Sequence, residues 1–161
     1  MTTTVPDEVT VRQAERADLL AVNRIERGSF PQPWPYGAFE GFLGQEGFLV
    51  AVKERGTGPG EVCGYVIADV VTEFGRTGGH VKDLAVAPEW RGRGVGSQLL
   101  DRGLAVLAAG GARVAKLEVR IGNEAARGLY ESFGFSPNRI VPEYYDDGED
   151  ALVLIADLRD R

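Results

Sequence analysis

One stretch constrains this chain's fold more than any other. It runs Val81-Lys82-Asp83-Leu84-Ala85-Val86, then Ala87-Pro88-Glu89-Trp90-Arg91-Gly92-Arg93-Gly94-Val95-Gly96, then Ser97-Gln98-Leu99-Leu100. It reads as an apolar strand, a basic glycine-rich turn and the opening of an amphipathic helix. Strands joined to helices in this way build folds in which helices pack on a sheet. The turn also carries chemistry. Backbone N–H groups at a helix start attract anions, and Gly92, Gly94 and Gly96 let the backbone approach a ligand closely. Arg91 and Arg93 add positive charge there. The segment predicts an anionic ligand, and its spacing narrows which one.

A P-loop ends in Gly-Lys-Ser or Gly-Lys-Thr, and neither tripeptide occurs in the chain. A dinucleotide fingerprint needs G-x-G-x-x-G, but counting from Gly92 puts Ser97 at the third glycine. What remains is Arg91-x-x-Gly94-x-Gly96 between a strand and a helix. This spacing resembles the acetyl-CoA pyrophosphate loop of the GNAT acetyltransferase superfamily. A glycine-rich helix entry that binds nothing is the alternative on spacing alone.

The other elements follow from periodicity. Residues 8–12 alternate as a first strand, and 18–30 carry a helical stripe at Leu19, Leu20, Val22 and Ile25. Three prolines in Phe30-Pro31-Gln32-Pro33-Trp34-Pro35 impose an extended loop, and a short helix is expected over 36–43. Strands are predicted at 47–53, 61–71, 79–86 and 114–119, with a turn at 56–60. Helices are predicted at 94–109, ending at Gly110-Gly111, and at 123–133, ending at Gly134. Strands near 135–142 and 151–155 close the chain around the acidic turn Asp146–Asp150. The order predicts an α/β or α+β sandwich around one sheet. It forms a single domain, 1–161, with its core at about 8–157.

Composition narrows the function classes. A net charge of −6 argues against nucleic acid as a partner. No apolar run approaches the ~20 residues of a membrane span. Residues 1–7 lack the basic and apolar parts of a secretion signal, so a cytoplasmic location is expected. The single cysteine, Cys63, rules out an intramolecular disulfide and a cysteine-cluster metal site; buried packing suits it. Of 18 cationic side chains only Lys53, Lys82 and Lys116 are lysine, which a salty cytoplasm or codon bias would equally explain. No metal is expected, and a monomer or weak dimer is.

The second signal runs from Lys116-Leu117-Glu118-Val119-Arg120 through Asn123 to Leu129-Tyr130-Glu131-Ser132-Phe133-Gly134-Phe135. Glu118 sits among apolar strand neighbours, so its carboxylate needs either a partner, such as Arg120, or a use. Asn123 and Tyr130 are two helical turns apart and share a face. Leu-Glu-Val-Arg, then Asn, then Leu-Tyr-Glu-x-x-Gly-Phe resembles the GNAT branch that acetylates protein N-termini. That branch includes ribosomal-protein alanine N-acetyltransferases and archaeal relatives. Gly79-His80-Val81, the region Phe30 to Trp34, and Tyr144-Tyr145-Asp146-Asp147-Gly148-Glu149-Asp150-Ala151 fit the same branch.

The resemblance implies a sheet whose fourth and fifth strands splay, with acetyl-CoA between them and no metal. The backbones of Leu84, Ala85 and Val86 would take the pantetheine arm, and the N–H groups of Arg91, Gly92, Arg93, Gly94, Val95 and Gly96 the pyrophosphate. Asn123 and Tyr130 would face the sulfur. Transfer to a protein α-amine would use Glu118 as base through a water that His80 shares, and Tyr130 as acid. A backbone N–H, that of Val86, would hold the oxyanion. Phe30, Pro31, Trp34, Tyr144 and Tyr145 would contact the acceptor. Read without the resemblance, Tyr130 is helix packing, His80 a strand-end residue and Tyr144-Tyr145 a stacked hairpin. Two other functions stay open: acetylation of a small amine or lysine side chain, and a non-catalytic CoA-binding module.

Overall fold

Alternating runs such as Val114–Arg120 and continuously apolar runs such as those within Phe48–Arg55 and Ala151–Asp157 become strands here. Among the described residues the strands lie in the hydrogen-bonded order β1-β2-β3-β4-β5-β7-β6. The computed structural model describes residues 9–73 and 75–159; the polar opening segment read above lies outside them. The chain divides into two units, Met1–Ile67 with Asp83–Gly103, and Ala68–Lys82 with Leu104–Arg161.

In the first unit, β1 (Val9–Gln13) pairs antiparallel with β2 (Phe48–Arg55), and β2 with β3 (Gly58–Glu73). A 3-10 turn at Arg16–Asp18 leads into α1 (Leu19–Ser29), and α2 (Tyr36–Glu40) follows the proline loop. The core gathers Leu19, Phe39, Phe48, Val50, Tyr65 and Ile67, all essentially inaccessible. Phe39 meets Tyr65 edge-on at 5.7 Å. The predicted α1 stripe holds except at Leu20, which is 74% exposed. At 100° per residue the buried face passes through Leu19, Val22, Asn23, Ile25 and Glu26, which leaves Leu20 outside. The predicted 56–60 turn is shorter than expected. Arg55 already pairs with Gly58, so a two-residue hairpin turn with Gly56 at φ 63 suffices. Buried Cys63 has its thiol pushed up to about 11 by desolvation, in keeping with a packing role. A Cβ on Gly64 would lie 2.8 Å from the Ala85 carbonyl oxygen, so only glycine lets these backbones pass.

The second unit is built on β4 (Arg76–Val86, through Lys82), β5 (Val114–Arg120), β6 (Ser136–Val141) and β7 (Ala151–Asp157). Strand β4 starts three residues earlier than its apolar pattern predicts, the glycine pair Gly78-Gly79 having hidden the alternation. Strand β7 pairs antiparallel with β5 on one edge and β6 on the other. The β4–β5 ladder is parallel and has two rungs, Gly79↔Ala115 and His80↔Lys116. Odd positions pack inward: a Cβ on Gly79 would meet Leu107 at 2.7 Å, and Val81, Ala115, Leu117 and Val119 are buried. Even positions therefore present His80, Lys82, Lys116, Glu118 and Arg120 on the opposite face. Helix α3 (Val95–Ala109) contributes to both units, and α4 (Glu124–Ser132) packs in the second.

Candidate active site

The side chains with chemical potential on the second unit start where the two-rung ladder stops. His80 Nε2 and Glu118 Oε1 are 2.7 Å apart, both side chains mostly buried. Parallel pairing places His80 opposite Lys116, two residues before Glu118 on the same face. Strand β7 fixes Glu118 from the other side through the rung to Val153. The hydrogen bond from His80 holds the Glu118 carboxyl below the usual carboxylate range, with further pull from the charges of His80 and Lys116 and an opposing push from burial. Lys116 Nζ lies 3.8 Å from Glu118. An ionised Glu118 accepts from Nε2–H, and in the neutral imidazole that bond leaves Nδ1 as the lone-pair nitrogen of His80.

Glu118 therefore pairs with His80 and Lys116, not with Arg120, the partner considered from sequence. Arg120 instead reaches Asp147 at 2.8 Å and Glu149 at 3.0 Å and lies 4.1 Å beneath the Tyr145 ring. Glu149 also accepts the Gly122 N–H at 2.9 Å. These contacts tie the acidic β6–β7 turn to the end of β5. They carry Tyr144 and Tyr145, which meet edge-on at 5.0 Å. Burial, then the charge of Glu118, raises the Tyr144 hydroxyl; burial pushes Tyr145 up to about 12. Both tyrosines stay protonated at neutral pH and can donate.

Asn123 caps α4, its side-chain oxygen accepting the Ala126 N–H at 3.2 Å. Tyr130 lies on that helix, buried, with its ring 5.8 Å from Phe135.

The first unit holds the glycine-rich turn. Gly92 and Gly94 have φ of 76° and 84°, left-handed values that suit glycine, and α3 begins at Val95. The first turn of such a helix offers N–H groups with no acceptor inside it. A Cβ on Gly92 would meet nothing within 4 Å, so the turn opens onto space, and its form suits a pyrophosphate. The arginines are more engaged than expected. Arg91 donates to the Val86 carbonyl at 2.9 Å and to Ser29 at 3.2 Å, and Arg93 lies 4.9 Å over buried Trp90. Leu84, Ala85 and Val86 form the end of β4 that leads into this turn.

The proline loop is clamped at Trp34. Glu26, 2% exposed, accepts the Trp34 N–H at 2.9 Å, and Asn23 donates to the Trp34 carbonyl at 3.3 Å. The indole packs against Phe39 and Phe42 at 5.6 and 5.9 Å. Tyr65 donates to Glu26 at 2.5 Å and lies 3.3 Å from Asp83. Burial and the hydrogen bond to Glu26 raise the Asp83 carboxyl well above the usual range. Sequence reasoning missed Glu26, Asn23, Tyr65 and Asp83. The available signal was a carboxylate at a core-facing position of the α1 stripe.

Comparison with known proteins fits this geometry. The family model described as acetyltransferase (GNAT) family matches residues 19–135. The N-alpha-acetyltransferase of Sulfolobus acidocaldarius is 35% identical over 159 residues, covering 92% of this chain and 92% of that protein. The ribosomal protein bS18 alanine N-acetyltransferase of Escherichia coli is 30% identical over 148 residues, covering 90% of this chain and 95% of its own. The crystal structure of Ard1 from Thermoplasma volcanium superposes with a TM-score of 0.83 at 26% identity, over 93% of this chain and 97% of that one. The mixed sheet, the glycine turn before α3 and these relatives together show that the chain belongs to the acetyltransferase (GNAT) family.

Proposed function

We propose that this protein transfers the acetyl group of acetyl-CoA directly to the N-terminal α-amine of a polypeptide, a ribosomal protein being one candidate acceptor. The observation that carries the reading is the His80–Glu118 pair at the end of the short β4–β5 ladder. The similarity to named N-terminal acetyltransferases supports it.

An α-amine must lose a proton before it attacks. Its pKa is about 7.7–8.0 against about 10.4 for lysine, so lysine needs ~3.4 kcal/mol more at neutral pH. An α-amine needs only modest help. Glu118, with its low pKa, is a weak base on its own but a good anchor for imidazole. Glu118 therefore orients His80, and His80 Nδ1 takes the amine proton, directly or through one water. The neutral amine attacks the thioester carbonyl, and the Val86 N–H holds the oxyanion. The C–S bond then breaks, Tyr130 O–H protonates the departing thiolate, and the second proton of the attacking nitrogen leaves as the amide forms and restores the Tyr130 hydroxyl through solvent. The pantetheine arm runs along the backbones of Leu84, Ala85 and Val86, and the pyrophosphate rests on residues 91–96. Asn123 adds a contact near the sulfur. Phe30, Pro31 and Trp34, and Tyr144 and Tyr145, are the residues proposed to contact the acceptor. The chain works as a single acetyltransferase domain; the family match, which runs through both units, supports this. It acts in the cytoplasm as a monomer or weak dimer, on polypeptide and not on nucleic acid or membrane. The net charge of −6 supports that choice of partner.

The experiment is a panel of peptides varied at the first two residues, each with a free and a blocked N-terminus and an internal lysine, read by mass spectrometry. Acetyl groups are expected only on free α-amines. Acetylation of blocked peptides at lysine would replace this reading with a side-chain acetyltransferase.

A further inference from the structure

The second unit carries a trough of about 1210 Å³ that begins at His80 and runs along the starts of β4 and β5. Four glycines and Thr77 line it with little side-chain bulk. Its charged lining is Arg76, Lys82, Arg113 and Lys116 against one carboxylate, Glu73. Lys82 also faces Asp69 at 3.9 Å, and Lys116 faces Glu118 at 3.8 Å. Arg76 and Arg113 are exposed. The concentration is unusual for this chain, which has a net charge of −6 and only three lysines, two of them in the trough.

We propose that the trough is a docking site for an acidic segment of the acceptor protein, downstream of the residues that enter the catalytic centre. The proposal rests on His80 acting at the acceptor amine. A chain whose first residue is at His80 has the trough directly beside it, and the trough's four cationic side chains are complementary to carboxylates on that chain. The site would select proteins by their early acidic residues, a layer of recognition separate from the first two positions.

The test uses three acceptors that share their first four residues. One ends there, one continues with an Asp/Glu-rich tail, and one with an Asn/Gln tail of equal length. The acidic tail should raise kcat/KM about tenfold, what a few exposed ion pairs supply. The gain should come through KM and fade at high salt. The double variant Arg76→Glu with Arg113→Glu should abolish the advantage while the tail-free peptide is acetylated at an unchanged rate. Both arginines are exposed, so the fold should tolerate the change, and Arg76→Gln with Arg113→Gln gives a milder second reading. Equal kcat/KM for the two tails, or an advantage that survives the double variant, overturns the proposal. Anisotropy of a fluorescent acidic peptide gives the same comparison without turnover, so the proposal stays testable even if no peptide is acetylated, an outcome that would count against the proposed function instead. A short RNA that competes where the acidic peptide does not would also overturn it, in favour of a nucleic-acid site.

Discussion

Two carboxyl centres of this molecule are held in opposite electrostatic states. Glu118 shares a hydrogen bond with His80 and stays ionised below the usual carboxylate range. Asp83 lies beside Glu26 and Tyr65 and stays protonated well above that range. Both are polar groups among apolar neighbours, and what separates them is the company. A cationic or donating partner more than offsets burial at Glu118, whereas a second acid compounds burial at Asp83. The first arrangement yields a fixed anion that orients an imidazole. The second yields a tightly bonded knot, with Asp83 protonated, that clamps the Trp34 loop. Their effects on stability have opposite signs. The Glu118 contribution is present above the ordinary carboxylate pKa and disappears as pH falls through its lowered value. The Asp83 cluster is most favourable in acid and costs stability as pH rises from the ordinary carboxylate range toward its raised value.

The largest expected effect is on the first centre. His80→Gln, Glu118→Gln and the double variant should each lower kcat by roughly 10²–10⁴. The double should be little worse than the worse single, because groups acting as one unit are not additive. Fully multiplicative losses would mean that the pair does not act together.

Glu26→Ala should come next. It leaves the Trp34 N–H and the Tyr65 hydroxyl without their acceptor and should cost about 1–3 kcal/mol of stability, seen in denaturant unfolding. KM for the peptide should rise with KM for acetyl-CoA unchanged. A variant as stable as the parent would show that the clamp carries no energy.

Asp83→Asn should have the smallest effect and the most specific form. Variant and parent should melt alike in acid, and the variant should melt a few degrees higher as pH rises, because the ionisation that strains the cluster is gone. Parallel melting curves across pH would contradict a raised Asp83 carboxyl.

The strand and helix order was legible in the chain because periodicities near 2 and 3.6 are local properties. Strand ends were less so. Gly78-Gly79 interrupts the alternation that marks β4, and the hairpin at Gly56 is tighter than its glycines suggest. At the site, Glu118 stood out as a carboxylate in an apolar strand, whereas its direct hydrogen bond to His80 was not legible. Arg120 is near in sequence, whereas His80 reaches Glu118 only through parallel pairing of strands 38 residues apart. The Glu26–Tyr65–Asp83 cluster joins three elements across up to 39 residues of separation between bonded partners, and no local pattern announces it.

The most direct test of the account is the pH–rate profile of Glu118→Gln on an α-amine peptide, measured beside its melting temperature. If the His80–Glu118 pair deprotonates the amine, the defect is large at neutral pH and shrinks as pH rises through about 8, where the amine loses its proton unaided. A defect of constant size across that range, together with a large drop in melting temperature, would contradict the account and leave Glu118 a structural residue.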